Sequence, residues 1–444
     1  MCIRFFLLFV LALAGALHAE WQAGAAVVDI TPRESIWLAG YAARTKPSES
    51  VRQPIHAKAL ALKDDAGRVS VVVTIDLVGI RREMMDPIAE RAAKELHIPR
   101  ECILFNASHT HSAPLVNDPS VYASIMGSYL QQQTEVIARY TQMLPSLIYD
   151  AIVKSVGNLR PATVWFEQGY AGFAVNRRRV GHREYPGPVD QDVPVLAVKG
   201  NDGHVIAILF GYACHNTVMD DYTIHGDYAG FAQANLERHY PGSVALFVQG
   251  AGADSNPLPR HKPEQLERYG ATLADAVSEV LAHKMKPIDG TIKATIALPE
   301  VAFEGPFDRS RWEHETASDQ KVVADHGRRM LALLDHGHSI PRSRPYTVEV
   351  WQFGPNLMLI ALAGELTVDY ALKFKSRYGP DTIWIAGYSN DTFGYIPSLR
   401  VWKEGGYEGG DAFRFSNFPG RFTPDIEDRI TAAVQRAVST VRAH

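Results

Sequence analysis

The residue pattern predicts an α/β fold in which a mixed β-sheet core is covered by helices. Three observations carry this expectation. Apolar runs of strand length recur along the chain, and two pairs of them flank turn signals, Asp64-Asp65-Ala66-Gly67 and Gly200-Asn201-Asp202-Gly203, so they read as hairpins. Other runs lead into segments with helical apolar spacing, and strand–helix units beside hairpins build a mixed sheet. A composition of 46% hydrophobic and 21% charged residues over 444 positions can fill a large core, in one big domain or two smaller ones.

The elements follow in order. Arg4, the apolar run 5–16 and the small residues Ala14, Ala16 and Ala19 read as a signal peptide over residues 1–19. The run is shorter than the about 20 residues of a membrane-spanning helix, so the expected product is soluble and secreted, periplasmic or extracellular. A retained anchor is the alternative. Residues 27–30 form a strand stopped by Thr31-Pro32. Residues 60–62 and 69–75 make the first hairpin. A helix is expected over 87–96, with Asp86 as its cap and Pro87 in the first position, where a missing N–H costs nothing. Residues 102–105 form a strand, and a helix follows over 131–156.

Residues 193–198 and 205–213 make the second hairpin. A helix over 228–240 is capped by Asp227, and the strand 244–248 runs into Gly250-Ala251-Gly252-Ala253-Asp254. This glycine-rich segment lacks both the P-loop lysine and a G-x-G-x-x-G, which excludes a phosphate loop. A helix spans 263–285. Residues 306–344 are the most polar stretch and read as a helical insertion with exposed histidines at His314, His326, His336 and His338. Strand 357–363, helix 366–377, strand 382–386 and an amphipathic helix over 422–441 close the chain.

Charge and cysteine usage narrow the function. A net charge of −4 and a single basic run, Arg177-Arg178-Arg179, offer no footprint for nucleic acid. Beyond the signal only Cys102 and Cys214 remain; both sit in apolar segments and read as buried free thiols, and no CxxC exists for a Cys/His zinc site.

The chemistry concentrates at strand ends. His109-Thr110-His111 follows the strand 102–105, and two histidines at i, i+2 of an extended segment project to one side. His215 follows the run 205–213, and Glu365 follows the strand 357–363 after Gly364. Open α/β sheets place their sites at such ends. Two histidines and a glutamate with room for water would make a catalytic zinc site. The competing readings are a surface histidine pair and, for Glu365, a charge on the dipole of the following helix. Asp29 and Asp76 read as turn-ordering residues, and Arg178 and Arg179 as loop charges.

These residues resemble a known family. Ala107-Ser108-His109-Thr110-His111-Ser112-Ala113-Pro114 is similar to the THTHSGP segment of the neutral, non-lysosomal ceramidases. Further family blocks follow in the same order: Asp29-Ile30-Thr31-Pro32 with Gly40-Tyr41, Asp76-Leu77-Val78-Gly79, Asn176-Arg177, Tyr212-Ala213-Cys214-His215-Asn216-Thr217 and Gly226-Asp227-Tyr228-Ala229-Gly230. Gly364-Glu365-Leu366-Thr367, Gly387-Tyr388-Ser389-Asn390 through Tyr395, and Tyr407-Glu408 complete the series, which runs from about residue 26 to 410.

The resemblance implies one large catalytic domain over 20–444 and a Zn2+ ion held by His109, His215, Glu365 and Tyr395. His111, Arg177 and Tyr407 would line the substrate site. The implied reaction cleaves an N-acyl amide, in ceramide or a related N-acyl lipid, to fatty acid and amine by zinc-activated water. Arg177, Tyr407 or His111 would steady the oxyanion, and His111 could pass a proton to the leaving amine. The expected partner is that N-acyl lipid or a small amide, with transient membrane-surface contact and no nucleic acid or protein partner.

Two departures matter. The family's G-D-V-S-P block, whose serine has been proposed as a nucleophile, reads Ala253-Asp254-Ser255-Asn256-Pro257, so Asn256 takes the serine position. Its amide could donate to an oxyanion but cannot form an acyl-enzyme. Family members also carry an immunoglobulin-like C-terminal domain, for which the sequence supplies no segment. Two alternatives follow: a zinc hydrolase of this architecture for a soluble amide or ester, and a secreted binding protein without turnover.

Overall fold

A computed structural model describes residues 21–116, 119–181 and 186–443; the expected signal at 1–19 lies outside the described residues. Nine strands form the main sheet: β1 (Trp21–Asp29), β2 (His56–Lys63), β3 (Val69–Ile75), β4 (Ile103–Ala107), β5 (Arg160–Tyr170), β6 (Asp192–Gly200), β7 (Val205–Tyr212), β8 (Val244–Gln249) and β9 (Lys286–Ile288). Their order is β8-β7-β6-β5-β1-β2-β3-β4, with β9 paired to β5 beside β1. Both expected hairpins are present as antiparallel pairs, β2–β3 and β6–β7. Two parallel pairs, β3–β4 and β7–β8, are joined through helices α1 (Arg82–Leu96) and α3 (Asp227–His239). Between them in sequence runs α2 (Leu130–Gly157).

A second sheet holds β10 (Ile292–Ala297), β11 (Val348–Phe353), β12 (Leu357–Leu362) and β13 (Ile383–Ala386) in that order. Its last pair is parallel, crossed by α7 (Asp369–Tyr378). Strand faces explain the layers. In β2 and β3, Ala59, Ala61, Val71 and Val73 face a core built with α1 and α2, whereas Leu60, Leu62 and Val72 face Trp351, Leu359 and Trp384 of the second sheet. The second sheet turns Val350, Met358 and Ile360 outward onto the terminal helix α8 (Ile426–Ala443). The result is helices, sheet, sheet, helices; the central strands β2, β3, β7 and β12, covered on both faces, are near-continuous apolar runs.

Side chains complete what strand pairing leaves open. The edge strands β4 and β8 meet where the Asn106 amide donates to Gln249 O at 3.4 Å and Gln249 N donates to Asn106 Oδ1 at 2.8 Å. Lys375 of α7 reaches across to Asp190 and Asp192 at 2.6 and 2.7 Å, tying the two sheets together.

Several expectations change. Helix α1 starts at Arg82, not 87, because Arg82 N donates to Asp391 Oδ1 at 3.3 Å and Met84 and Met85 N to Arg81 O. Pro87 lies inside it, and Asp86 pairs with Arg82 and Arg100 instead of capping. No helix begins at 366: Glu365–Leu366 is a short strand paired with Tyr395–Ile396, and α7 starts at Asp369. The polar stretch 306–344 holds α5 (Arg309–Thr316) and α6 (Lys321–Asp335), with α4 (Pro263–Ala282) preceding it. His314, His336 and His338 are exposed as expected, but His326 is fully buried between Glu315 Oε2 and Phe418 O, which satisfy both ring nitrogens. Cys102 and Cys214 are buried free thiols. Among the described residues no helix is long and apolar enough to cross a membrane.

Glu349 on β11 is fully buried; its carboxylate accepts from Trp351 Nε1 at 2.5 Å and Asn390 Nδ2 at 2.7 Å. Burial pushes this carboxyl up to about 8. The folded state then keeps a proton that the unfolded chain sheds, so this group lowers stability as pH rises through the ordinary carboxylate range toward 8. In urea unfolding, Glu349→Gln should flatten the loss of stability between about pH 5 and pH 8, by up to roughly 1.4 kcal/mol per pH unit. An unchanged slope would assign that pH dependence to other groups.

Candidate metal centre

The C-terminal ends of β4, β7, β8, β12 and β13 converge on one cleft. After β4 the chain turns at His109, whose φ of +63° takes it out of the extended conformation. The turn is held by His109 N to Leu77 O (3.0 Å) and His111 N to Asn216 O (3.2 Å). The two rings thus converge through this kink, not through strand alternation, and their Nε2 atoms stand 3.1 Å apart. His109 Nδ1 bonds to Val78 O, which directs Nε2 into the cleft.

His215 is placed the same way. Its Nδ1 bonds to Gly252 O at 2.8 Å and its N–H donates to Ser255 O at 2.9 Å. Gly252 allows this approach, since a Cβ there would lie 2.6 Å from Cys214 N. Asp227, expected as a simple helix cap, instead accepts Val218 and Met219 N and so pins the loop after His215. Glu365 and Tyr395 are register partners in the short parallel ladder, so one pairing presents both side chains to the histidines.

Glu365 Oε2 lies 3.2 Å from His109 Nε2 and 3.5 Å from His215 Nε2, and Tyr395 Oη lies 3.4 Å from His215 Nε2. The carboxylate oxygen is buried and makes no well-formed hydrogen bond. Burial would raise the Glu365 carboxyl, but the facing His109 and His215 rings outweigh it and hold it well below the usual carboxylate range. Burial, reinforced by the Arg177 charge, pushes His215 down to about 4. Burial and the neighbouring imidazoles likewise hold His111 well below the ordinary histidine range.

With Nδ1 held by a backbone carbonyl, His109 and His215 turn Nε2 toward the carboxylate, the arrangement in which an imidazole offers its lone pair to a divalent cation. Ligand nitrogens of His109, His111 and His215 all fall within 4.8 Å of one another. One feature separates the three rings. His109 and His215 have Nδ1 fixed by a backbone carbonyl, as metal-ligating histidines do. His111 Nδ1 is buried without a partner, packed against Gly40.

Arg177 is enclosed by its partners: Nε to Glu408 (2.7 Å), Nη2 to Tyr395 Oη (2.9 Å) and Nη1 to Asn256 Oδ1 (3.4 Å). Arg178 and Arg179, expected as loop charges, pair with Glu404 and Glu408 and fasten the segment 399–409 behind the site. Asp29 and Asp76 order turns, accepting Thr31 N (2.8 Å) and His56 N (3.0 Å).

The cleft has a volume of about 230 Å³. His109, His111, Glu365, Tyr395 and Tyr407 lie on its wall; His215, Arg177 and Asn256 stand behind that surface. Asn256 Oδ1 faces Arg177 and, at 3.5 Å, Thr217 Oγ1. Aromatic rings continue from the polar floor: Tyr395 to Tyr407 at 5.1 Å, Tyr407 to Phe415 at 6.1 Å, Phe415 to Tyr122 at 6.4 Å. Leu115, Val116 and Val121 extend this apolar wall. The sequence pattern gave no role to Leu115, Val116, Val121, Tyr122 and Phe415, nor to Tyr388, whose buried ring lies 4.4 Å from His109.

The wall is buttressed by the 306–344 segment. Asp325 of α6 holds Ser124, Arg329 holds Asn417 Oδ1 (3.1 Å) and Arg414 O (2.8 Å), and His326 holds Phe418 O (2.7 Å).

The family model described as neutral/alkaline non-lysosomal ceramidase, N-terminal, matches residues 21–257. The fold is similar to the crystal structure of neutral ceramidase from Pseudomonas aeruginosa, with TM-score 0.74 at 17% identity over 96% of this chain and 75% of that one. A structure described as ceramidase complexed with C2 gives TM-score 0.73 at 17% identity, over 96% and 76%. No curated protein matches the sequence.

Gly40 adopts φ +92°, and a Cβ there would stand 2.3 Å from His111 Nδ1. Gly40→Ala should therefore displace the His111 ring and cost about 1–3 kcal/mol in denaturant unfolding. Wild-type stability in that variant would show that the ring has room to move.

Proposed function

The chain belongs to the neutral/alkaline non-lysosomal ceramidase family, and from that premise we propose that it is a secreted, zinc-dependent amidohydrolase. Its substrate on this reading is ceramide or a related N-acyl lipid. The observation that carries it is the unsatisfied Glu365 Oε2, buried between His109 Nε2 and His215 Nε2 at the floor of an aromatic-walled cleft. A buried carboxylate oxygen without a partner is costly unless a cation completes it.

His109, His215, Glu365 and Tyr395 are the proposed ligands. Zinc held there would supply Lewis acidity to polarise an amide carbonyl and to acidify water. Burial keeps the Tyr395 phenol protonated, well above its ordinary range, and Arg177 counteracts this from 2.9 Å. Arg177 thus serves by orienting Tyr395 and easing loss of its proton. Glu408 fixes Arg177 in that pose.

His111 lies on the cleft wall and is the one of the three rings that no backbone carbonyl fixes, which suits it to move a proton. It is neutral, faces His109 Nε2 and has no carbonyl fixing its tautomer, so it can accept a proton and pass it to the leaving amine. Tyr407, 45% exposed on the cleft wall, is the hydroxyl placed to donate to a developing oxyanion. Asn256 acts from behind, by holding Arg177. The acyl chain would lie along Leu115, Val121, Tyr122 and Phe415, which favours a lipid over a polar soluble amide. Residues 1–19 would direct export, 20–444 would act as one catalytic unit, and a lipid substrate calls for transient contact with a membrane or micelle.

The test is metal content and ceramide hydrolysis on the purified protein beside a His109→Ala/His215→Ala double variant. About one zinc per chain with ceramide cleavage, both lost in the variant, is the expected outcome for an open zinc site. Zinc without ceramide turnover would redirect the search to other amides and esters. No bound metal would overturn the ligand assignment.

A further inference from the structure

Arg81 is the one cation on the cleft wall among its described lining residues. Other arginines nearby are engaged: Arg177 and Arg178 with Glu408, Arg344 with Asp391, Arg82 with Asp86. The guanidinium of Arg81 has no hydrogen bond or ion pair among the described residues; it is half-buried and shares the field of the Asp391 carboxylate with Arg344. Glu365 is the one acidic residue on the same wall, and its Oε2 faces the His109 and His215 rings.

Position adds to this. Val78, whose carbonyl holds the His109 ring, is three residues before Arg81, so the Arg81 backbone lies within about 10 Å of the residue that aims that ring. Ile80 O accepts Thr392 N at 2.6 Å, Phe393 packs on Phe418 at 5.6 Å, and Asn417 precedes Phe418. Arg81, Thr392 and Asn417 therefore belong to one wall of the cleft. Asn417 already gives its carbonyl oxygen to Arg329 Nε at 3.1 Å, which leaves its NH2 group as a donor. Arg81 can only donate. This wall is rich in donors, while the Tyr122–Phe415–Tyr407 side is apolar.

We infer that the cleft takes N-acyl amines whose amine portion carries an oxyanion, a carboxylate or a phosphate, which docks on the Arg81 guanidinium while the acyl chain lies along the aromatic wall. The inference rests on the amidohydrolase reading for its substrate class, but binding tests it independently of turnover. A guanidinium fork matches either oxyanion through paired N–H donors, and an uncharged headgroup would leave it solvated only by water.

The experiment measures dissociation constants on the full protein for three probes with one acyl chain: N-lauroylglycine, N-lauroylethanolamine phosphate and neutral N-lauroylethanolamine. Wild-type protein should bind at least one anionic probe roughly tenfold tighter than the neutral one. The ratio should collapse toward one in Arg81→Gln and be partly restored in Arg81→Lys, which keeps the charge without the fork. Preference for only one of the anionic probes identifies the oxyanion. Equal binding of all three by the wild type, or a preference that survives Arg81→Gln, overturns the inference. Loss of all turnover with the binding preference intact would overturn the amidohydrolase reading and leave this one standing.

Discussion

Everything at this site depends on keeping a carboxylate oxygen, Glu365 Oε2, between the His109 and His215 rings with no well-formed hydrogen bond. Such a group is destabilising by itself, and the surrounding chain shows how it is tolerated. Both flanking rings are turned toward it by backbone carbonyls, Val78 O and Gly252 O, which belong to different strand ends. Those carbonyls sit just past strands whose residues are buried. The outer layers of helices are thus part of the electrostatics of the centre, since they make the backbone rigid enough to aim a lone pair.

The same economy governs the polar residues around it. Where β4, β8 and β13 end together, Asn106 alone bonds to Gln249 O, Gly387 O and Ser389 Oγ. Asn216 links Ser108 O to Gln249 Oε1 and accepts Ala229 N. Asp254 accepts Val368 N and the Asn176 amide. These short amide and carboxylate side chains replace the ladder bonds lost at strand ends. The links made by Asn106, Asn216 and Asp254 tie these strand ends into one geometry.

The sequence made the local grammar legible. Asp64–Gly67 and Gly200–Gly203 announced two hairpins because their turn chemistry is contained in four residues. The addresses of His109, His215 and Glu365 at strand ends were legible for the same reason. What stayed hidden depends on contacts distant in the chain. The start of α1 is set by Asp391, more than three hundred positions away. His326 looked like a surface histidine until Glu315 and Phe418 O supplied partners for both nitrogens. Strand β5 carries Pro161 and alternating polar residues, and β9 is too short to show a period. The tautomer-setting carbonyls left no trace at all, because a backbone oxygen has no letter in the sequence.

The helical pair α5–α6 grips the segments around Ser124 and around Asn417, and those segments carry much of the cleft's apolar side. None of its residues touches His109, His215 or Glu365. Chemistry and selectivity are therefore housed in separate stretches of the chain. Changes within 306–344 can reshape that apolar wall while the His109, His215 and Glu365 side chains keep their positions, so the wall can drift in a peripheral element without disturbing the polar floor.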